Sequence, residues 1–128
     1  MSVQAFVTGL QHIGIPTNDM EKTLLFYKSL GFEEVHAVDN QGEQVVFLRL
    51  KDLVIETYQN GKASLQNGAI EHIALDVTDI ERVYAEVSNL GYHELEEGIQ
   101  FLPFWNHGVR FFTIQGPNSE KVEFSQML

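Results

Sequence analysis

Cysteine is absent from the 128-residue chain, and basic residues are scarce. Without cysteine there is no disulfide, no thiolate nucleophile and no thiolate-ligated metal site. Lysine and arginine number 8 against 18 aspartates and glutamates, which gives a formal net charge of −10. Because this charge repels phosphate backbones and anionic headgroups, we expect neither nucleic acid nor a membrane surface as a partner.

Long apolar runs are also missing. No window approaches the ~18 apolar residues of a membrane span, and residues 1–9 lack the basic start and the apolar run of a signal peptide. We therefore expect a cytoplasmic protein. Apolar residues make up 44% of the chain and charged residues 20%, a balance typical of a folded protein, and the length predicts one domain over residues 1–128.

The chain repeats a pattern at a spacing of 60 residues. The segment QHIGI at 11–15 recurs as EHIAL at 71–75, NDME at 18–21 recurs as TDIE at 78–81, and LGF at 30–32 recurs as LGY at 90–92. Three matched landmarks at one spacing indicate a duplicated unit. The two repeats span about residues 8–60 and 68–127, and we expect them to complete one core.

Each repeat opens with an alternating, β-branched segment that predicts a strand. Asn18 and Thr78, each followed three residues later by glutamate, predict helices that begin with a capping box. Apolar residues then recur at helical spacing as far as Gly31 and Gly91, which suit the left-handed position after a helix. The predicted strands are 10–15, 33–38, 43–50 and 53–58 in the first repeat, and 70–77, 93–96, 109–114 and 121–125 in the second. The fold class is therefore α+β, with two βαβββ repeats.

The second repeat is longer than the first between its helix and its last strand. The extra length falls at 98–108, a segment that contains Phe101, Phe104 and Trp105. So much aromatic surface is not expected to lie wholly in water. The segment either plugs one end of the sheet or forms the wall of a small-molecule pocket.

Two histidines and two glutamates occupy equivalent positions in the repeats. His12 and His72 lie in the first strand of each repeat, and Glu56 and Glu123 lie in the last. Taken singly, each is more often a structural or solvent-facing residue. If the first and last strands of a repeat are neighbours, however, each repeat supplies one His–Glu pair, and two carboxylates brought together need a cation. Imidazole and carboxylate ligands without thiolate suit Ni²⁺, Co²⁺, Fe²⁺, Mn²⁺ or Zn²⁺.

Together with FY at 26–27 and GPN at 116–118 before KVEF at 121–124, these motifs resemble the vicinal oxygen chelate superfamily. This superfamily includes glyoxalase I, bleomycin- and fosfomycin-resistance proteins, methylmalonyl-CoA epimerase and extradiol dioxygenases. The resemblance implies an incompletely closed, barrel-like sheet of eight strands that cups one metal ion, with the helices outside. It places the metal ligands at His12, Glu56, His72 and Glu123. Related proteins often form homodimers, and the sequence leaves open whether the four ligands meet within one chain or across an interface.

The His/Glu/His/Glu set is similar to that of short bacterial glyoxalase I, which is associated with nickel or cobalt. Epimerases usually have glutamine at the position of Glu56, and dioxygenases and thiol-transferring resistance proteins normally use three protein ligands. The resemblance therefore implies a lyase that converts the hemithioacetal of methylglyoxal and a thiol into a lactoyl thioester, through an enediolate bound to the metal. Glu123 is the first choice for the base that moves the proton, and Glu56 is the second.

The resemblance also implies residues that bind the substrate. Asn60 matches an asparagine that helps to hold glutathione, and Phe104 and Trp105 would form an apolar wall. Glyoxalase I usually has an arginine four residues after the first histidine, whereas this chain has Pro16, which offers neither a charge nor an N–H. Arg49 or Arg110 could take its place, and the identity of the thiol stays open.

Three alternative functions come from other classes. A metal-dependent resistance enzyme that opens a fosfomycin-like epoxide would need cationic side chains around the phosphonate, and no such cluster is evident among the 8 basic residues. A resistance module that binds a small molecule without catalysis usually lacks the metal ligands. A family member with a purely structural metal is the third alternative.

Overall fold

The first repeat forms a sheet of its own. The computed structural model describes residues 3–6 and 8–128. A short 3-10 helix (Val3–Phe6) precedes the first repeat, whose elements are β1 (Ile13–Thr17), α1 (Met20–Ser29), β2 (Glu33–Asn40), β3 (Glu43–Leu50) and β4 (Leu53–Gln59). The strand order is β1-β4-β3-β2. The first and last strands of the repeat are therefore parallel neighbours, which is the condition for the predicted His–Glu pairing, and the other pairs are antiparallel.

The second repeat has the same plan with one additional strand. Its elements are β5 (His72–Asp76), α2 (Ile80–Ser88), β6 (His93–Glu94), β7 (Gln100–Leu102), β8 (Val109–Gln115) and β9 (Lys121–Met127). The order is β5-β9-β8-β6, and β7 also pairs with β8. Strands β5 and β9 are parallel. The additional strand, β7, lies in the aromatic segment 98–108, where the sequence predicts no strand.

The architecture confirms the α+β class and the two βαβββ repeats. Over residues 3–6 and 8–128, two α-helices and nine strands form two mixed sheets that are not closed into a barrel. The ninth strand is β7. No helix in this part of the chain has both the length and the apolar character needed to cross a membrane.

Both helices begin one residue later than the capping pattern predicts. The side chain of Asp19 accepts from the backbone N–H of Lys22 at 3.1 Å, and that of Asp79 accepts from the N–H of Arg82 at 3.2 Å. Aspartate caps as well as asparagine or threonine does, and its charge is favourable at a helix N-terminus. The Asn18 side chain instead hydrogen-bonds the backbone of Ala63 in both directions. Asn18 and Thr78 are therefore not the caps.

The core lies between the helices and one face of each sheet. Its buried residues come from both repeats and include Phe26, Tyr27, Ile55, Phe112 and Val122. Because side chains alternate along a strand, the residues between the core positions lie on the opposite face, which we call the open face of each sheet. Residues 54, 56 and 58 of β4 and residues 121, 123 and 125 of β9 lie there, and all six are only half-buried.

A polar network joins the two repeats across this core. The hydroxyl of Tyr27, on α1, donates to Glu120 Oε2 at 2.8 Å. The Asn118 side-chain amide donates to Thr23 Oγ1 at 3.0 Å, and Thr23 and Thr17 share a hydrogen bond of 2.8 Å. The repeats are thus held together through their helix-facing sides, and the open faces of the sheets lie outside the core.

Candidate metal centre

The first His–Glu pair lies on the open face of the first sheet. His12 immediately precedes β1, and Glu56 lies in β4 opposite Gly14. His12 Nε2 is 3.5 Å from Glu56 Oε1, and His12 Nδ1 is 2.9 Å from Gln11 Oε1. An amide oxygen can only accept a hydrogen bond, so in the neutral imidazole the proton lies on Nδ1. The lone pair of Nε2 then faces the carboxylate.

The second pair repeats this geometry on the other sheet. His72 begins β5, and Glu123 lies in β9 opposite Ala74. His72 Nε2 is 3.9 Å from Glu123 Oε1, and His72 Nδ1 is 3.0 Å from Glu71 Oε1. Glu71 Oε2 is in turn 3.5 Å from Lys121 Nζ. The second histidine therefore has a charged partner where the first has a neutral one.

Each pair fits a divalent metal ion. Two ligand atoms that each lie about 2.1 Å from one ion are at most about 4.2 Å apart, and both His–Glu separations fall within this limit. Imidazole nitrogen and carboxylate oxygen are ligands that borderline divalent ions accept. A hydrogen bond from the other ring nitrogen to an oxygen is also the usual outer arrangement of a metal-binding histidine.

The four predicted ligands are not brought to one centre within one chain. The pairs belong to different sheets, and in the described part of the chain no three His, Cys, Asp or Glu side chains lie close enough together to hold one ion. The structure thus brings His12 to Glu56 and His72 to Glu123. That all four share one ion stays a prediction.

Burial and the neighbouring charges shift the pKa values of the two glutamates at the second pair in opposite directions. Burial raises the pKa of Glu123; the nearby His72 lowers this pKa, and the charges of Glu96 and Glu71 raise it further. The pKa of Glu71 is lowered, chiefly by its hydrogen bond with His72 and then by the charge of Lys121. Glu71 is therefore held as a carboxylate, whereas Glu123 takes up a proton more readily than an ordinary glutamate does.

Glu96 is a neighbour of this pair that the sequence does not reveal. It lines a cavity of about 220 Å³ together with His72, Thr113 and Glu123. Its two carboxylate oxygens accept from the backbone N–H and the hydroxyl of Thr113 at 2.7 and 2.8 Å. In the sequence it is one of three glutamates in the segment ELEEG, and no spacing distinguishes it from the other two.

A second cavity also includes His72 in its lining. It has a volume of about 410 Å³ and lies between β1, β5 and the linker between the repeats. Apolar side chains such as Ile13 and Ile73 line it, together with His72 and Lys121. A cavity of this size and composition is typical of small-molecule sites.

Three of the predicted substrate-binding residues lie in loops that follow β4 and β7. Asn60 follows β4, and its side chain accepts from the N–H of Lys62 at 2.9 Å. Phe104 and Trp105 lie in the loop after β7 and are 54% and 73% exposed. Whether they form the wall of a pocket stays a prediction.

The two arginines considered in place of Pro16 lie on different faces. Arg110 Nη2 donates to Glu81 Oε1 on α2 at 3.1 Å, so Arg110 is on the helix-facing side of its sheet, away from Glu123. Arg49 lies opposite Val54 on the open face of the first sheet, which also carries Glu56. Of the two, Arg49 is better placed to meet a ligand of that pair.

A family model described as the Glyoxalase/Bleomycin resistance protein/Dioxygenase superfamily matches residues 9–124. The chain belongs to this superfamily. The resemblance to the vicinal oxygen chelate proteins is therefore confirmed at the level of the superfamily, which includes metalloenzymes such as FosX and the glyoxalases.

Similar proteins include a curated relative and several solved structures. The chain is 30% identical over 124 residues to the uncharacterized protein YwbC of Bacillus subtilis (strain 168), an alignment that covers 91% of this chain and 96% of YwbC. A glyoxalase family protein from Enterococcus faecalis has 20% identity and a TM-score of 0.78, with 94% of this chain and 98% of that chain covered. The fosfomycin resistance protein FosX from Listeria monocytogenes has 19% identity and a TM-score of 0.76, with 95% of each chain covered. At these identities the two structures support the superfamily fold.

Proposed function

We propose that this superfamily member is a divalent-metal-dependent lyase of the glyoxalase I type. Its substrate would be the hemithioacetal of methylglyoxal and a thiol, and its product a lactoyl thioester. The observation that carries the proposal is the matched pair of His–Glu contacts. In each, the Nε2 lone pair faces a carboxylate while an oxygen acceptor fixes Nδ1. Because the ligand set contains two carboxylates, one can stay bound to the metal while the other transfers the proton.

The proposed metal ligands are His12, Glu56, His72 and Glu123, and the proposed metal is nickel or cobalt, with zinc, manganese and iron as alternatives. Each chain carries two half-sites on separate sheets. We propose that a homodimer completes the site, with one pair from each of two chains. Both open faces lie outside the core, which supports this arrangement. A twofold axis can bring the open face of the first sheet of one copy against the open face of the second sheet of the other.

A bound divalent ion would supply a Lewis acid that stabilises negative charge developing on the substrate oxygens. Glu123 would remove the proton from the carbon that bears sulfur and return it to the neighbouring carbon, while the hydroxyl proton on the first carbon passes to the carbonyl oxygen of the second. The first carbon becomes the thioester carbonyl and the second becomes an alcohol, so no external oxidant or reductant is needed. Glu123 is favoured over Glu56 because its side chain is less exposed, at 21% against 29%, and because burial raises its pKa.

The test begins with metal content and ends with activity. Purified protein should bind nickel or cobalt, and His72→Ala should lose most of this binding while keeping its circular dichroism spectrum. His93→Ala, which alters an exposed histidine on β6, serves as the matched control. Unchanged metal content in His72→Ala would overturn the proposed site.

The activity assay uses methylglyoxal with glutathione and with other thiols in parallel, because Pro16 replaces the arginine expected of a glutathione enzyme. Formation of a thioester with any thiol supports the lyase. Hydration or thiol addition to fosfomycin, without thioester formation, would instead support an epoxide-opening enzyme. That outcome is not expected, because Lys121 on the open face of the second sheet is already paired with Glu71 and a phosphonate needs several cations.

A further inference from the structure

The two histidines of the proposed site differ in the charge of their outer partner. His12 Nδ1 is 2.9 Å from the amide oxygen of Gln11, and His72 Nδ1 is 3.0 Å from the carboxylate of Glu71. Gln11 and Glu71 occupy the same position in the two repeats, immediately before the histidine. The repeats therefore contain a built-in comparison between a neutral and an anionic acceptor.

The anionic partner is itself held in place. Glu71 Oε1 meets His72, and Glu71 Oε2 is 3.5 Å from Lys121 Nζ. Lys121 lies opposite His72 in the register of β5 and β9. The three side chains thus form a chain from the ammonium group through the carboxylate to the imidazole, and its last atom, Nε2, faces Glu123.

A carboxylate acceptor makes an imidazole a stronger donor than an amide acceptor does. It draws the Nδ1 proton towards itself, increases electron density on Nε2 and stabilises the positive charge that the ring gains on binding a cation. Without a metal the contact contributes little, because both side chains are about half exposed. Its effect is therefore expected in metal affinity more than in folding.

We propose that Glu71, held by Lys121, is a positioning residue that makes His72 the stronger of the two imidazole ligands. This inference rests on the metal site of the proposed function. Gln11 orients His12 without strengthening it. His72 then binds the ion more tightly than His12 does.

Metal affinity, measured by competition with a chelator, tests the charge at each position. Glu71→Gln keeps an acceptor oxygen and removes the charge, and it should weaken nickel binding about tenfold. Glu71→Leu removes the acceptor as well and should weaken binding by up to about 100-fold. The matched exchange in the other repeat, Gln11→Glu, should strengthen binding. Affinities of both Glu71 variants within twofold of wild type would overturn the inference.

Histidine tautomers provide a readout that needs neither metal nor activity. In metal-free protein, nitrogen NMR should show the proton of His72 on Nδ1, and Glu71→Leu should move it to Nε2 while the His12 signals stay unchanged. A His72 ring that keeps its tautomer in Glu71→Leu would contradict the positioning role. If the wild-type protein binds neither nickel nor cobalt, the proposed function fails. If the wild-type protein binds them and the Glu71 variants bind them equally tightly, the inference about Glu71 fails and the proposed function stands.

Discussion

At the scale of single residues, the Glu123 carboxylate is required by the proposed function but destabilises the metal-free protein at neutral pH. In metal-free protein its carboxylate is partly buried near Glu96 and Glu71, and its pKa is raised. A raised folded-state pKa means that this group favours folding below its unfolded pKa, about 4.3, and that the contribution is lost as the pH rises through the folded value. At neutral pH the ionised side chain is therefore unfavourable unless a cation is bound.

Glu123→Gln should raise the melting temperature of metal-free protein at pH 7 by about 1–3 °C and have little effect at pH 4. Thermal unfolding in a chelator measures both values, and Glu97→Gln, at an exposed position in the same acidic segment, is the control. A lower melting temperature for Glu123→Gln at pH 7 would contradict the prediction.

Tyr27 combines full burial with an acidic partner. Burial raises its pKa well above the ordinary value, and the charge of Glu120 and the hydrogen bond to it raise the pKa further. Tyr27→Phe removes that hydrogen bond and should lower the free energy of unfolding at pH 7 by about 1.5 kcal/mol.

The stabilising contribution of Tyr27 is lost in alkali. The wild-type contribution is complete below about pH 10, the unfolded pKa, and is lost as the pH rises through the higher folded pKa. Urea unfolding at pH 7 and above pH 10 should therefore show the difference between wild type and Tyr27→Phe becoming smaller. A difference that grows with pH would be inconsistent with a protonated, buried Tyr27.

At the scale of elements, the helix caps are the clearest test of the structure. Asp79→Ala should lower the free energy of unfolding by about 1 kcal/mol, because the cap of α2 is lost. The neighbouring Thr78→Ala should cost less than about 0.5 kcal/mol, since Thr78 is exposed and is not the cap. Urea denaturation of the two variants compares them directly, and the reverse order would favour the capping box that the sequence suggests.

The sequence predicts these elements because their signals are local. Alternation, helical spacing and glycine give α1, α2 and eight of the nine strands nearly as observed, and Gly31 and Gly91 do have positive φ, at 104° and 81°. The strand β7 is missed because the aromatic segment has no clear period. The phase of alternation in β8, in which Phe112 and Ile114 are buried, could have shown that Arg110 faces α2. Glu96 could not have been found, because its position beside Glu123 depends on hydrogen bonds with Thr113, which lies in another strand.

At the scale of the whole molecule, the duplicated pattern predicts the two His–Glu pairs but not how they are arranged relative to each other. The pairs require the first and last strands of each repeat to be neighbours, and the structure shows that they are. The packing of the repeats through their helices depends on long-range contacts, such as those of Tyr27 with Glu120 and of Thr23 with Asn118. No local pattern encodes those contacts, so the assembly of the full site lies beyond the sequence.

A site shared between two chains predicts complementation. His12→Ala and His72→Ala should each be inactive alone, because every site of either homodimer lacks one ligand. In a heterodimer one site lacks both histidines and the other is intact, so an equal mixture should recover about one quarter of wild-type activity by random pairing. Thioester formation and metal content after mixing measure this recovery, and a mixture that stays inactive despite subunit exchange would place all four ligands within one chain.

Pro16 has a consequence that reaches beyond ligand recognition. Within the described residues β1 pairs only with β4, so β1 is an edge strand of the sheet. A proline is tolerated in an edge strand where its missing N–H faces away from the neighbouring strand. We therefore expect the missing donor of Pro16 to lie on the unpaired side of β1. An approaching strand from another molecule would find no donor there, and exposed strand margins are sites of fibre-like aggregation. The residue that stands where a carboxylate-binding arginine is expected should therefore also disfavour edge-to-edge pairing of chains.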